Sequence, residues 1–159
     1  MTQSISLMKN LISILLVGIL LISCTTNKES EIPNSTVALD FINSYINNCN
    51  KMNKAISPIE WVKENLNATS NFKKQLEKLI TEGYKNNPEL GLGFDPIFNA
   101  QDYPEEGVEL ESLDTQTGYL IVRGKKWTDF KLTMKLKKEN GAWLVDGCGI
   151  INIPKDKMK

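Results

Sequence analysis

The sequence predicts an α+β domain, with N-terminal helices packed on a curved antiparallel β-sheet. Three observations predict it. Apolar residues recur at three- and four-residue spacing between residues 35 and 84. Apolar and polar residues alternate between 108 and 153, around an Asn140-Gly141 hairpin signal. The helical patterns all precede the strand patterns, which is the order of an α+β fold rather than of an alternating α/β one.

The first helix is expected from Ser35. Val37, Phe41, Ile42, Tyr45, Ile46, Cys49 and Met52 form its apolar stripe, and Asp40, Asn43, Asn47 and Asn50 its polar face. The aromatic stripe reads as core. Ser57-Pro58-Ile59-Glu60 starts a second helix: Ser57 caps, Pro58 suits the first helical position, and Glu60 closes a capping box. This helix is expected to end near Asn67. Ser70 caps a third, whose face is Phe72, Leu76, Leu79, Ile80 and Tyr84, and which Gly83, Asn86, Asn87 and Pro88 terminate.

Residues 87–106 follow no period. They hold Pro88, Pro96, Pro104, Gly91 and Gly93, yet are rich in apolar and aromatic side chains, unlike a disordered linker. An ordered loop of this length in a compact domain points to function. Strands then begin at Val108 and Leu110, and at Tyr119 to Val122. Phe130, Leu132, Met134 and Leu136 alternate with Lys131, Thr133, Lys135 and Lys137, which gives a third strand one wet face. Asn140-Gly141 suits a type I′ turn into a last strand from Ala142 to about Ile153. That turn pairs Glu139 with Ala142, Leu136 with Val145 and Lys135 with Asp146. It sets Gly147 and Gly149 opposite Met134 and Leu132, where glycines indicate a bend or a close backbone approach.

The N-terminal end carries a different signal. A short start containing Lys9 precedes the apolar run Leu11 to Ile22, too short to span a bilayer and of the length of a signal-peptide core. Leu21-Ile22-Ser23-Cys24 resembles the lipobox of bacterial lipoproteins. The resemblance implies a signal peptide over residues 1–23, acylation of Cys24 (palmitate among the chains) and a lipidated polar tether over 24–35. A single domain over 36–154 and a polar tail over 155–159 follow. Three acyl chains hold a protein on a bilayer essentially permanently, since one alone binds marginally. Thr25 stands where an Asp would resemble an inner-membrane retention signal, so the expected location is the outer membrane, facing the periplasm.

Composition excludes several functions. There is no histidine in the 159 residues, hence no Ser-His-Asp triad, Cys-His pair or histidine-ligated metal. The 19 basic and 19 acidic residues balance, against binding of nucleic acid through net charge. Beyond Cys24 only Cys49 and Cys148 remain, either as a disulfide or as two buried thiols; spacing leaves both open. Acids cluster in residues 95–116 and bases in 123–138, as neighbouring strands that pair their charges would show, or a dipolar docking face.

Asp95, Asn99, Gln101, Asp102 and Tyr103 crowd into one stretch of the loop. Calcium takes such oxygens, but the calcium-loop pattern with its central glycine is missing and prolines interrupt. Asx turns by Asp95 and Asp102 are the preferred reading. A rigid recognition loop would use Phe94, Phe98 and Tyr103 as anchors and Asp95, Gln101 and Asp102 to orient a partner. A buried carboxylate at Asp102 or Asp146 could act as a general base, although the expected register makes Asp146 a surface partner of Lys135.

Asp95, Ala100-Gln101-Asp102 and Trp143-Leu144-Val145-Asp146, together with the lipobox, resemble bacterial envelope lipoproteins of the domain of unknown function 3828 family. That family is similar to nuclear transport factor 2-like, or cystatin-like, rolls with a pocket between bent sheet and helices. It implies no catalytic residues, metal or cofactor. The expected function is a membrane-anchored, non-enzymatic binding or accessory module for an envelope protein or small ligand, with the lipid bilayer as a second partner through acylated Cys24. The alternatives are an immunity-type lipoprotein that blocks an envelope-acting toxin, and a small pocket enzyme with a carboxylate base.

Overall fold

The computed structural model describes residues 32–159. The expected signal peptide, Cys24 and residues 25–31 of the expected tether lie outside the described residues. Three helices, α1 (Ser35–Cys49), α2 (Pro58–Glu64) and α3 (Ser70–Asn86), precede four strands, β1 (Val108–Leu113), β2 (Tyr119–Gly124), β3 (Lys131–Glu139) and β4 (Ala142–Cys148). The strands form one antiparallel sheet in sequence order. The α+β class is as the sequence predicts.

α1 lies across the sheet, against β1, β3 and β4. Its buried stripe is Ala38, Phe41, Ile42, Tyr45 and Ile46. Phe41 meets Trp61 and Phe72 edge-on at 5.1 and 5.6 Å, so one aromatic cluster joins all three helices. Such pairs add about 0.5–1.5 kcal/mol each beyond burial. Two asparagines on the helix work as backbone clasps. Asn43 Nδ2 donates to Val108 O while Val108 N donates to Asn43 Oδ1, at 3.2 and 2.8 Å. Asn48 does the same to Ile56, at 2.9 and 3.2 Å. Each satisfies a peptide that no strand or helix pairs.

α2 carries the expected capping box between Ser57 and Glu60, with Pro58 at its first position, but it ends at Glu64 rather than near Asn67. The cap of α3 is Thr69, one residue before the expected Ser70. Thr69 Oγ1 accepts from Phe72 N at 3.1 Å and donates to Asp146 Oδ1 at 2.8 Å. A hydroxyl that is both cap and tie to the sheet outcompetes its neighbour.

Asn140 and Gly141 both have positive φ, 50° and 83°, and Glu139 pairs with Ala142, as the turn demands. The register holds through Leu136 and Val145, then shifts by one residue. Lys135 pairs with Gly147 rather than Asp146, and Cys148 takes the place opposite Met134. The β-bulge corrects the expected surface pair: Asp146 turns inward, is only 8% exposed, and bonds Thr69. β4 also stops at Cys148, short of Ile153. Gly149, at φ +61°, turns the chain back so that Cys148 and Ile151 exchange two backbone bonds of 3.0 Å.

A second bulge leaves Glu111 unmatched on the edge strand β1, where it meets Lys131 at 2.6 Å. Glu109–Arg123 at 2.8 Å is a second pair across the strands, and Glu106–Lys126 at 3.3 Å joins the segments just beyond their ends, so part of the segregated charge is paired between neighbours. Thr133, expected on the wet face, is buried by the C-terminal tail; its Oγ1 donates to Lys157 O at 2.6 Å.

Candidate functional site

The loop 87–106 leaves α3 and returns to β1 by doubling back on itself. Asp95 and Ala100 pair across the tight turn, with N···O distances of 3.0 and 3.4 Å. Asp95 organises that turn. Its Oδ1 accepts from Ile97 N at 2.8 Å and Phe98 N at 3.3 Å, an Asx turn. Its Oδ2 accepts from Tyr45 Oη at 2.6 Å, which pins the loop to α1. Burial raises the Asp95 carboxyl above the ordinary carboxylate range, against the bonds from Tyr45, Ile97 and Phe98 that favour the ionised form. Burial, and then the Asp95 charge, push the Tyr45 phenol far up, so Tyr45 stays a donor.

The loop is also tied to the end of β4. Ile150 N donates to Pro96 O at 3.1 Å, and Cys148 Sγ to Ile97 O at 3.3 Å. A Cβ on Gly149 would strike the carbonyls of Pro96 and Ile97, so this approach requires glycine. The expected close backbone approach is therefore made to this loop at Gly149, whereas Gly147 lies close to residues 151–153.

Cys49 and Cys148 are both free thiols, which is the unpaired one of the two arrangements left open by spacing. Burial, then the Asp95 charge, push Cys49 up to about 11, and burial pushes Cys148 well above the ordinary thiol value. Neither is an activated nucleophile.

The other candidate residues separate. Phe98 is 3% exposed and belongs to the core, packed on Tyr45 at 5.1 Å and stacked on Tyr103 at 5.1 Å. Tyr103 is half-buried. Gln101 Nε2 donates to Gly93 O at 3.1 Å, closing the loop from outside. Asp102 is exposed, and the Asx-turn reading applies to Asp95 alone of the two. Phe94 is the anchor that reaches the surface, at 36% exposure.

Phe94 stands on one wall of a groove of about 280 Å³ between the loop, the start of α2 and the last turns of α3. Ile59, Ile80, Tyr84, Leu90 and Leu92 supply most of its apolar lining, and Asp95 reaches its edge. Leu90 is 70% exposed and Tyr84 55%. Two glycines set this wall: a Cβ on Gly83 would meet the Leu92 side chain at 2.9 Å, and one on Gly91 the Tyr84 ring at 3.0 Å. On the loop's other side, Trp127 projects from a tight β2–β3 hairpin, 45% exposed, and leans on Phe130 at 5.4 Å. Sequence reasoning passed over Leu90 and Trp127. The available signal was large apolar residues standing outside any buried stripe.

What this arrangement can do chemically follows from where its polar atoms go. Both Asp95 oxygens are engaged inside the protein, Asp146 bonds Thr69 and Asn152 Nδ2 donates to Asp146 O at 2.7 Å. No buried side-chain nitrogen or oxygen among the described residues lacks a partner. Among the same residues, no group of three or more His, Cys, Asp or Glu comes together as a metal site, and no helix is long and apolar enough to cross a membrane.

No family model matches the sequence, and no curated protein matches it. Among solved structures, the chain is similar to a chain of the type VI native effector–immunity complex Tae3–Tai3 from Ralstonia pickettii. The TM-score is 0.49 at 15% identity, over 75% of this chain and 95% of that one.

Proposed function

We propose that this protein is a non-enzymatic binding module whose recognition face is the groove beside Phe94, held to the cell envelope by acylated Cys24. The observation that carries the reading is the contrast between a rigid loop with every buried polar atom engaged and a cluster of large apolar side chains left in solvent on its flank. Leu90, Tyr84 and Phe94 are each at least 36% exposed around one groove, and apolar patches of that kind mark interaction sites. A general base needs a carboxylate oxygen free to face substrate, whereas Asp95 spends both oxygens on its own loop and on Tyr45. The partner is a protein of the envelope, with the bilayer as the anchor's own partner and the outer membrane, facing the periplasm, as the location. Membership in the domain of unknown function 3828 family belongs to the same proposal, on Asp95, Ala100-Gln101-Asp102 and Trp143-Leu144-Val145-Asp146. An immunity-type role is this reading with an envelope-acting toxin in the groove; likeness of fold does not by itself choose the partner.

Two experiments test it. Replacing Cys24 by Ser should abolish lipid labelling and release or stall the protein; unchanged labelling removes the anchor. A photo-cross-linking residue in place of Leu90, in the native envelope, should capture a discrete protein, and the same residue in place of Leu66, which is exposed elsewhere, should not. Equal capture at both positions, or none at Leu90, removes the groove.

A further inference from the structure

The connection between α1 and α2 has features that the groove does not explain. From residue 41 to residue 59 the only charges are Lys51 and Lys54. Both are exposed, and neither has an acidic partner within hydrogen-bonding reach among the described residues. Between and beside them stand Met52, 80% exposed, and Ile56, 42% exposed. Met52 has φ +52°, a left-handed conformation that a long unbranched side chain rarely adopts and that glycine would take without strain.

The turn is also held stiffly. Lys51 N donates to Asn48 O at 3.1 Å, Lys54 N to Lys51 O at 3.1 Å and Ala55 N to Met52 O at 3.0 Å. The Asn48 side chain clasps both the N–H and the C=O of Ile56. The two lysines complement the negative end of the α1 dipole, which accounts for their sign. It does not account for two apolar side chains held in water between them, one on strained backbone.

We propose that residues 51–56 are a foot that rests on an anionic lipid surface, with Lys51 and Lys54 against headgroup phosphates and Met52 and Ile56 entering the interface. Cations flanking apolar tips are what such a surface attracts, and basic residues at a membrane strengthen binding about fivefold each. So few contacts hold only when a second tether keeps the turn near the bilayer, so the foot rests on the lipid-anchor reading of Cys24. It would fix which way the groove points, because Ser57, Pro58 and Ile59, directly after the foot, line the groove.

The test uses the full chain with a photo-cross-linking residue in place of exposed Asn53, in vesicles of phosphatidylglycerol and phosphatidylcholine. The mass of the purified chain reports acylation separately, so loss of the anchor and loss of the foot are distinguishable. The expected result is a lipid adduct on the peptide containing residue 53. It should fall more than tenfold in vesicles of phosphatidylcholine alone, and equally in the doubly charge-reversed Lys51→Glu, Lys54→Glu chain. The same cross-linker in place of Leu66 is the exposed control. A cross-linked dimer instead of a lipid adduct, an adduct no stronger than at position 66, or an adduct indifferent to both charge changes would overturn the proposal.

Discussion

Replacing Asp95 with Ala tests the organisation of the loop most sharply. The change strips the acceptor from three donors: Tyr45 Oη, Ile97 N and Phe98 N. All three belong to residues no more than 3% exposed, so water cannot take the carboxylate's place without opening the loop. An orphaned buried donor costs about 1–3 kcal/mol, and relief from burying a charge offsets part of the sum, leaving a loss of about 3–5 kcal/mol. Asp95→Asn keeps Oδ1 for the two amides and deprives only the Tyr45 hydroxyl of its acceptor, so its cost should be smaller, about 1–3 kcal/mol. The pair also has a pH signature. Burial raises the folded carboxyl above its unfolded value of about 3.9. The contribution is therefore fully present below about pH 4 and is lost as pH rises through the folded value. Wild type should lose stability relative to Asp95→Asn as pH rises above about 4. Urea unfolding of the full chain, followed by tryptophan fluorescence, reads both effects, since Trp61 lies 4.9 Å from the Tyr45 ring. An Asp95→Ala variant within 1 kcal/mol of wild type, or a wild type that gains on Asp95→Asn as pH rises, would refute the reasoning.

Other substitutions separate the remaining ties. Gly149→Ala should destabilise by more than Gly141→Ala in thermal unfolding. Both hold positive φ, at about 1–2 kcal/mol, but only at Gly149 would the new methyl meet the Pro96 and Ile97 carbonyls. Thr69→Ala removes a helix cap and leaves Asp146 without its hydroxyl, so a loss of about 2–3 kcal/mol is expected, and Thr69→Ser should restore most of it in the same assay. A thiol reagent at neutral pH should modify half-buried Cys49 slowly and Cys148 only on unfolding.

Local chemistry made much of this molecule legible in its sequence. Ser57, Pro58 and Glu60 specify the start of α2 within four residues, and Asn140-Gly141 specifies a hairpin within two. The Phe41, Ile42, Tyr45 and Ile46 stripe names its buried face by spacing alone. What escaped depended on distant partners. The bulge at Asp146 is decided by Thr69, 77 residues away, and that same bond moves the cap of α3 from Ser70 to Thr69. Thr133 looked wet because alternation cannot foresee a tail folding back over the sheet. In the loop, composition marked Asp95 but not its Tyr45 partner, which belonged equally to a helical core stripe. It offered Phe94 and Phe98 as equivalent anchors, and only the Asp95 turn sends one outward and the other into the core.

The central claim is that the groove binds and that Asp95 does no chemistry in it. The most direct measurement is the affinity, by calorimetry, of the protein captured at position 90 for four chains: wild type, Leu90→Ser, Phe94→Ser and Asp95→Asn. Loss of an exposed apolar anchor at an interface centre costs about 2 kcal/mol or more, so Leu90→Ser and Phe94→Ser should each weaken binding at least tenfold. Asp95→Asn should bind as wild type does, because that side chain faces its own loop. Unchanged affinity in both groove variants, or Asp95→Asn as the single damaging change, would contradict the claim.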